Sequence, residues 1–366
     1  VYRHQIPKFA GPAMESIYGS LYSSLAVLQS STSGDPRDTS TYVHWEPGKS
    51  AHCAQPRAIF LFRQQGQRIR VLNEGMRLDC EDIDRFCEHL LGMDPSVQSI
   101  EFHAISTQGT LIRSSRPYLR FACTEDIVID LPDCAQRYME QLGKSTSKSL
   151  KKRLSRAPRE LPGFAHTLHH GRDVSEQAIR TIVSFNHARM AKKERRSAMS
   201  DKVINELLSL LRTHGTVGLL ESEGTILAGT LACRFGDDVF SLVTAHDPSY
   251  DHLGLGSLSR HLMILAAIDS GARRFHLLGG QLRSKRSALG VRQRLSHWVV
   301  YRSKLAMLSD IPYMLKLAAA SAVYHWQSWM DYQDAYHQHT WTSRTLNAAR
   351  VLNRRFRTPL TGFGSA

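Results

Sequence analysis

The sequence lacks the motifs that mark several common enzyme classes. It has no G-x-S-x-G elbow, no G-x-x-x-x-G-K-[ST] loop and no H-E-x-x-H helix, so nothing supports a serine hydrolase, a P-loop NTPase or a zincin metalloprotease. The six cysteines form no C-x-x-C pair and have no metal-ligand spacing with histidine, which favours free thiols in a reducing compartment. The histidine pairs 169–170 and 337/339 also lack companions at ligand spacing, so we expect no metal cofactor.

Long apolar segments are also absent. The longest uncharged run late in the chain, residues 317–330, has 14 residues, whereas a membrane-spanning helix needs about 20. The first residues, VYRHQIPKF, lack the apolar stretch of a secretory signal. We therefore expect a cytoplasmic protein, with peripheral attachment to the inner membrane as the alternative.

Negative charge is scarce relative to positive charge. The 366 residues contain 47 Lys and Arg against 33 Asp and Glu, which gives a net charge of +14 and a pI near 9.7. Such a balance favours an anionic partner, such as a phosphate-rich cofactor, RNA, an acidic polymer or an anionic lipid. With 42% hydrophobic residues, a chain of this length can bury one large core or two medium ones.

The most informative segment predicts a strand, a glycine turn and a helix in succession. A β-rich run at 239–244 leads through the polar turn 246–252 to Gly254 and Gly256, and an apolar helix follows to residue 269. Backbone N–H groups and the helix dipole then point at the turn, an arrangement that binds pyrophosphate. We expect coenzyme A there. The predicted cofactor-binding residues are Leu253, Gly254, Leu255, Gly256, Ser257, Gly279 and Gly280.

Four segments resemble the GNAT superfamily of N-acyltransferases. They are LPDCAQRYMEQLGKSTSKSLKKRLSR at 131–156, FNHARMAKK at 185–193, the stretch 215–257 and GGQLRSKRSAL at 279–289. The resemblance is to the larger bacterial branch associated with exopolysaccharide synthesis and cationic-peptide resistance, which is similar to tandem-GNAT transferases of the FemAB type. It covers residues 126–302 well and the N-terminal third weakly. One departure is Asp251, where many GNAT proteins have Arg or Gln, so the phosphate must be held by another group.

The resemblance implies an α+β fold with two mixed, mostly antiparallel sheets flanked by helices. We predict a degenerate GNAT-like lobe over residues 1–131, a GNAT-like acyltransferase lobe over 132–302 and a helical extension over 303–366. The first lobe rests on strands at 57–62, 68–74, 99–105 and 126–131 around a helix at 80–91. It has no Gly-x-Gly turn after a strand, which favours a structural or acceptor-holding role.

A cationic ladder marks a predicted helix over residues 132–156. Lys144, Lys148, Lys152 and Arg156 step by four. They are offset by two positions from a second ladder, which is mostly apolar and consists of Leu142, Thr146, Leu150 and Leu154. The face they form either binds an anionic substrate or is only solvated. Three further candidates near a helix C-terminus, which the resemblance places in the acceptor cleft, are Asn186, Arg189 and Lys192; dipole compensation is the alternative explanation for the cations.

Acyl transfer requires a base, donors to the oxyanion and an acid for the leaving thiolate. His246, at the end of the strand before the glycine turn, is the candidate base, because histidine ordinarily titrates near neutrality. Asp247 would orient it or capture a cationic acceptor, and Tyr250 is a candidate acid; the alternative is that these residues only build the turn.

The resemblance adds further candidates. Lys285 matches the lysine that follows the second glycine pair in the family. The tyrosine that often precedes this lysine is replaced here by Ser284, which leaves Tyr301 as a substitute acid. His276 lies in a strand where the family often has Asp, so it is an alternative base.

Three functions follow from these patterns. The first is an enzyme that transfers an acyl group from acetyl-CoA or a longer acyl-CoA to an amine or hydroxyl of a larger, envelope-related polymer, lipid or peptide. The second is a FemAB-like transferase that uses aminoacyl-tRNA, which the net charge favours. The third is a non-catalytic GNAT fold that binds anions or a membrane surface, with the helix at 315–329 at the interface.

Overall fold

The computed structural model describes residues 2–3, 5–31, 38–46, 55–108, 116–192, 197, 199–279 and 285–336. Gly280, Ser284, His337 and His339 lie outside the described residues. The helices are α1 Ala10–Tyr18, α2 Leu25–Ser31, α3 Cys80–Met93, α4 Ala135–Gln141, α5 Lys144–Glu160, α6 Glu176–Lys192, α7 Asp201–His214, α8 Leu255–Asp269, α9 Lys304–Ser309 and α10 Ile311–Tyr336. The strands are β1 Tyr2–Arg3, β2 Ser40–Glu46, β3 Gln55–Gln65, β4 Arg68–Val71, β5 Arg77–Asp79, β6 Ser99–Gln108, β7 Tyr118–Asp130, β8 Ala165–His170, β9 Gly215–Ser222, β10 Thr225–Phe235, β11 Asp238–His246, β12 Arg274–His276 and β13 Val291–Tyr301.

Contacts divide the chain into two compact units. The first contains Val1–Glu125 and Arg294–Trp329, and the second contains Asp126–Gln293 and the residues from Met330 onward. The division therefore falls within β7 and again within β13. The three sequence segments predicted as domains, 1–131, 132–302 and 303–366, stay a prediction.

The first unit packs helices against a mixed set of strands. In it β1, β2, β3 and β4 pair antiparallel in order, β4 pairs parallel with β6, and β6 pairs antiparallel with β13. Helix α3 begins where Asp79 accepts a hydrogen bond from the amide of Glu81, a typical N-cap. Its apolar side chains are spaced three and four residues apart, so Phe86 lies against the rings of Phe60 and Phe102 in a buried core.

The second unit carries the predicted glycine turn. Strands β8, β9, β10 and β11 pair antiparallel in order, β11 pairs parallel with β12, and β12 pairs antiparallel with the last residues of β7. Helix α8 lies on one face of β10, where Ser259 is hydrogen-bonded to Thr230 at 2.8 Å. Helix α6 lies on the other face, where Ile182 fills the space beside Gly229. Because neighbouring strand residues point to opposite faces, β10 is covered on both sides.

The predicted fold class is confirmed in both units, since each has mixed, mostly antiparallel strands with helices packed against them. The predicted strand, glycine turn and helix are present as β11, the turn up to Gly254 and α8. Helices α1 and α2 and strand β2 were not predicted. The helical C-terminal part is interrupted at Asp310, between α9 and α10, and Pro312 lies in the first turn of α10, a position that proline tolerates.

The predicted helix over 132–156 is wrong in one respect. Leu142 adopts an extended conformation, with φ −61° and ψ 136°, so α4 ends before it and α5 begins after Gly143. Glycine has a low helix propensity, and the buried Leu142 side chain gains from packing outside the helix. Leu142 therefore does not belong to the apolar face of α5, which instead consists of Leu150, Leu154 and Ala157.

Helix α10 exposes several large apolar side chains. Leu315, Trp326 and Trp329 are exposed, whereas the ring of Tyr313 lies under the guanidinium of Arg68 at 3.7 Å. Across the described part of the chain, no helix is both long enough and apolar enough to span a membrane. A role for this helix at a membrane surface stays a prediction.

Candidate active site

The glycine turn before α8 combines a positive helix end with a guanidinium group. Gly254 has φ +64° and provides no side chain to cap α8, so the amides of Leu255 and Gly256 lack a side-chain cap, whereas that of Ser257 donates to the carbonyl of Gly254 at 3.1 Å. A Cβ added at Gly254 would lie 2.7 Å from Nε of Arg153 on α5. A cation is unfavourable beside a helix N-terminus unless an anion lies between them. The turn and Arg153 together form a fitting site for a phosphate.

The imidazole of His246 lies beside this turn and contacts a carboxylate. Its Nε2 is 2.8 Å from Oδ1 of Asp251, and Oδ2 of the same carboxylate accepts a hydrogen bond from Nζ of Lys192 at 2.6 Å. The hydrogen bond from Lys192 lowers the pKa of Asp251 most, and the hydrogen bond from His246 lowers it further. Asp251 thus orients the imidazole of His246. Lys192 neutralises the negative charge of Asp251, which would otherwise disfavour a phosphate at the turn.

Gly256 makes room for this imidazole. A Cβ at Gly256 would lie 2.8 Å from Nδ1 of His246. The absence of a side chain therefore leaves room for Arg153 beside Gly254 and for His246 beside Gly256. With Asp251 on Nε2, the ring nitrogen of His246 that faces α8 is Nδ1.

The C-terminal part of α6 contributes the three residues expected in the acceptor cleft. Asn186 is buried, and its Oδ1 accepts a hydrogen bond from Nη2 of Arg189 at 2.6 Å. Lys192, three residues later, is largely exposed and contacts Asp251. The structure thus places Lys192 in contact with Asp251, the partner of His246, whereas Asn186 contacts Arg189.

Strands β11 and β12 pair over a short distance only. Their parallel register joins Asp238–Phe240 to Arg274–His276 and ends there. Among the residues that the structure describes, no strand pairs with β11 on this side from Ser241 to His246. The amide of Leu277 instead donates to Ile127 of β7. An unpaired strand edge of six residues, about 20 Å long, therefore leads to the glycine turn.

Lys285 stabilises the segment opposite this edge. Its Nζ donates to the carbonyl of Leu277, to that of Leu278 at 2.9 Å and to that of Gly279 at 2.7 Å. Leu278 has φ +58°, an uncommon conformation for a side chain of this kind. Three carbonyl contacts on one ammonium indicate that Lys285 holds the segment 277–279 in shape.

His276 lies at the other end of β11. It pairs in register with Phe240, so His246 is six residues further along, about 20 Å away. Its Nδ1 is 2.5 Å from Oδ2 of Asp126, and its Nε2 is 3.5 Å from Oδ2 of Asp238. Burial alone would lower the pKa of His276, but the two carboxylates raise it. The structure therefore favours a buried ion pair over a base for this residue.

The remaining catalytic candidates have structural contacts. Asp247 accepts a hydrogen bond from the amide of Ser249 at 2.9 Å and so caps the 3₁₀ turn at 248–253. The ring of Tyr250 packs against the core of the second unit. The hydroxyl of Tyr301 donates to Oδ2 of Asp310 at 3.0 Å. In the described residues no group of His, Cys, Asp and Glu side chains has the arrangement to hold a metal ion.

The cationic face of α5 divides into two parts. Lys144, Lys148 and Lys152 are exposed. Arg156 instead forms an ion pair with Glu160 and donates to the carbonyl of His252 at 3.4 Å. Arg153, one residue beyond the ladder, reaches the glycine turn. Of the four ladder residues, the three lysines are the ones without an ion pair among the described residues.

Sequence reasoning missed three candidate residues. Arg153 was not among the predicted site residues, because its partner turn lies about 100 residues later. Asp251 was noted as a departure, although a carboxylate five residues after a histidine can reach it across a turn. Arg260, four residues after Gly256, gave no signal beyond its helical position.

Comparison with known proteins identifies the segment that carries these groups. Residues 144–286 match the family model described as an acetyltransferase (GNAT) domain. These residues are a GNAT domain. The match includes the glycine turn, His246, Arg153 and the α6 residues, so the resemblance drawn from the sequence is confirmed. No curated protein sequence matches the chain.

Solved structures share the fold at low identity. FemX superposes with a TM-score of 0.58 and 9% identity, over 84% of this chain and 99% of its own. A conserved protein of unknown function from Bacteroides thetaiotaomicron VPI-5482 gives 0.50 and 12%, over 82% and 98%. L-PGS from Bacillus licheniformis gives 0.49 and 12%, over 88% and 98%. The similarity to FemX extends the shared fold beyond the GNAT domain to most of the chain.

Proposed function

We propose that the protein is an acyl-CoA-dependent acyltransferase whose donor phosphates bind at the N-terminus of α8. The observation that carries the proposal is the guanidinium of Arg153 against Gly254 at the positive end of this helix. Both groups attract phosphate, and together they replace the Arg or Gln that many GNAT proteins have at the position of Asp251. The donor class is therefore a thioester that carries phosphate groups, as acetyl-CoA and longer acyl-CoAs do.

The unpaired edge of β11 suits the rest of such a donor. An extended chain with amide groups can add to a strand edge through main-chain hydrogen bonds. From the glycine turn this edge runs over Ser241–His246 towards β12. The carbonyl of the thioester would then lie near backbone N–H groups, which stabilise the developing oxyanion.

His246 completes the chemistry as the base. Oriented by Asp251, it takes the proton from an attacking amine or hydroxyl as the nucleophile adds to the thioester carbonyl. When the carbon–sulfur bond breaks, the imidazolium returns this proton to the leaving sulfur. One histidine can therefore serve as base and then as acid, without requiring Tyr250 or Tyr301.

The acceptor in this proposal is an amine or hydroxyl of a larger molecule, for which an envelope polymer, lipid or peptide is the expected class. The protein would act in the cytoplasm or at the inner face of the membrane. These assignments rest on the resemblance to the bacterial GNAT branch and on the net charge of +14.

Calorimetric titration of acetyl-CoA and longer acyl-CoAs into three proteins tests the donor. We expect wild type to bind at least one acyl-CoA, and Arg153→Gln to bind it roughly 10- to 100-fold more weakly, as for loss of one charge-assisted hydrogen bond. Arg159→Gln, an exposed arginine near the end of the same helix, is the matched control and should bind like wild type. Absence of binding in wild type would overturn the CoA assignment.

A second donor, aminoacyl-tRNA, is favoured by a different observation. Lys144, Lys148 and Lys152 are exposed on one face of α5, and such a row of charges suits a nucleic-acid backbone. The same base and oxyanion donors would serve, because an aminoacyl ester is also attacked at its carbonyl. Binding of aminoacyl-tRNA without binding of acyl-CoA would favour this function.

A further inference from the structure

Two arginines near the base have no acidic partner in the described part of the chain. Arg189 at the end of α6 donates through Nη2 to the amide oxygen of Asn186, and its Nε is buried without any acceptor. Arg260 on α8 has no hydrogen bond or ion pair with any described side chain. Other arginines of the same unit do have carboxylate partners, such as Arg274 with Asp238 at 2.6 Å.

The two guanidinium groups lie close enough to repel each other. Burial lowers the pKa of Arg189. Burial lowers the pKa of Arg260 most, and the positive charge of Arg189 lowers it further. Holding two desolvated cations together costs free energy unless an anion is shared between them. Guanidinium groups offer forked N–H donors that match the oxygens of phosphates and carboxylates.

Each arginine lies about one helical turn from a residue that is next to the proposed base or its partner Asp251. On α6, Arg189 precedes Lys192, the residue that contacts Asp251, by three positions. On α8, Arg260 follows Gly256, which touches His246, by four positions. Residues three and four apart lie on one face of a helix, about 5–6 Å apart. An anion held by this pair therefore lies within reach of a small molecule bound at His246.

Arg189 and Arg153 come from helices on opposite faces of the sheet. Arg153 comes from α5, which shares a buried core with α8 on one face of the sheet. Arg189 comes from α6, which lies on the other face of β10. Helix α6, which does not carry Arg153, thus supplies half of this second cationic site.

We propose that Arg189 and Arg260 bind an oxyanion, a phosphate or a carboxylate, carried by the acceptor, so that the molecule that receives the acyl group is itself anionic. The inference rests on the proposed acyltransferase function and names its acceptor class. Asn186 is the positioning residue that fixes the guanidinium of Arg189, and the nucleophilic amine or hydroxyl is presented to His246.

Thermal unfolding with simple anions tests the site without any acceptor. Phosphate also suits the Arg153 turn, so the titration uses Arg153→Gln as the parent protein. Inorganic phosphate and acetate are added at constant ionic strength, with chloride as the reference anion. We expect one of the two to raise the Tm of the parent, because binding to the folded state alone stabilises it. The responding anion distinguishes a phosphate acceptor from a carboxylate acceptor.

Substitution of either arginine should remove this response. In chloride, Arg189→Gln and Arg260→Gln should melt no lower than the parent, because a repulsion has been relieved. Arg180→Gln, on α6 but paired with Glu176, is the matched control and should keep the response. An unchanged response in both pair variants would overturn the proposal, and so would a lower Tm in chloride, which would indicate a packing role. If Arg260→Gln does not fold, Arg189→Gln, near the helix end, carries the test.

A separate measurement distinguishes acceptor from donor. In the otherwise wild-type protein, Arg189→Gln should bind acyl-CoA with unchanged affinity. A loss of acyl-CoA affinity equal to that of Arg153→Gln would assign the anion to the donor and overturn the acceptor inference. Because the anion response is measured without CoA, failure of the proposed donor would leave it intact and would be seen only in the acyl-CoA titration.

Discussion

The imidazole Nε2 of His246 lies 2.8 Å from Oδ1 of Asp251, which also accepts a hydrogen bond from Lys192 through its other oxygen. The three residues come from the end of β11, the following turn and the end of α6. A carboxylate on one ring nitrogen fixes the tautomer and leaves the other nitrogen as an acceptor for a proton. This relationship makes His246 the strongest candidate for the base in the GNAT domain.

Replacement of His246 should affect turnover and leave donor binding unchanged. We expect His246→Ala to reduce the rate of CoA thiol release from acyl-CoA by roughly 10²–10⁴, the range for loss of a positioned proton-transfer group. His252→Ala is the matched control, because this histidine is exposed in the same turn and its carbonyl, which accepts from Arg156, is kept in the variant. Wild-type turnover in His246→Ala would show that another group is the base.

The glycine turn could be predicted from the sequence, but the groups around it could not. Strand β11, the polar turn and α8 follow each other in the chain, so hydrophobic periodicity and glycine spacing determine their order. Arg153 reaches Gly254 from another helix, and such a contact depends on tertiary packing. Gly254 was expected to admit a phosphate, and the structure shows that it admits the arginine that can bind one.

A similar limit explains the errors in α4, α5 and the first unit. The ladder from Leu142 to Leu154 fits a helix by periodicity, yet the buried Leu142 packs outside it because Gly143 ends the regular pattern. Strand β2 was not predicted, since its first residues belong to the stretch STSGDPRDTST at 31–41, which is rich in turn-forming residues. Its residues Tyr42 and Val43 are buried through pairing with β3, a long-range contact.

The ion pair between Lys192 and Asp251 should set the pH below which activity falls more steeply than protonation of the base alone requires. Hydrogen bonds from Lys192 and His246 lower the pKa of Asp251, so this carboxylate stays ionised, and able to orient the imidazole, to a lower pH than an isolated one. Lys192→Gln removes the larger of the two contributions and raises that pKa. We expect this steeper loss of turnover to begin at higher pH, by less than about one unit because the pair is exposed.

Rate profiles between pH 3 and pH 8 measure this shift. Lys202→Gln, an exposed lysine on α7, is the control and should leave the profile unchanged. If the steeper part of the acid limb stays in place in Lys192→Gln, or moves to lower pH, ionised Asp251 has no role in turnover.

The two glycines of the turn should fail in different ways when they are replaced by alanine. At Gly256 the added Cβ meets the end of the His246 side chain, so we expect lower turnover with little change in stability. At Gly254 the φ of +64° strains any other residue by about 1 kcal/mol, and the Cβ displaces Arg153. Gly254→Ala should therefore melt lower and bind acyl-CoA more weakly.

Thermal unfolding, calorimetry with acyl-CoA and turnover at saturating donor separate these two effects, and each variant is the control for the other. The same loss of donor affinity in both variants would show that the glycines act as one phosphate cradle. In that case the assignment of Gly256 to His246 would be incorrect.

The exposed lysines of α5 decide between the two donors. Lys144, Lys148 and Lys152 can be replaced together by Gln without loss of packing, whereas Arg156 is excluded because it pairs with Glu160. If the protein binds aminoacyl-tRNA through this face, the triple variant should bind tRNA more weakly. The log–log dependence of its affinity on salt should fall by up to about three units, since each neutralised phosphate releases close to one counterion. Acyl-CoA affinity should be unchanged, because Arg153 and the glycine turn are intact.

Filter binding across a range of salt concentrations measures the slope, and Lys202→Gln is the control. Equal tRNA affinity and slope in the triple variant and wild type would show that these lysines are ordinary solvated surface, and the acyl-CoA donor would then be the one that a specific contact supports.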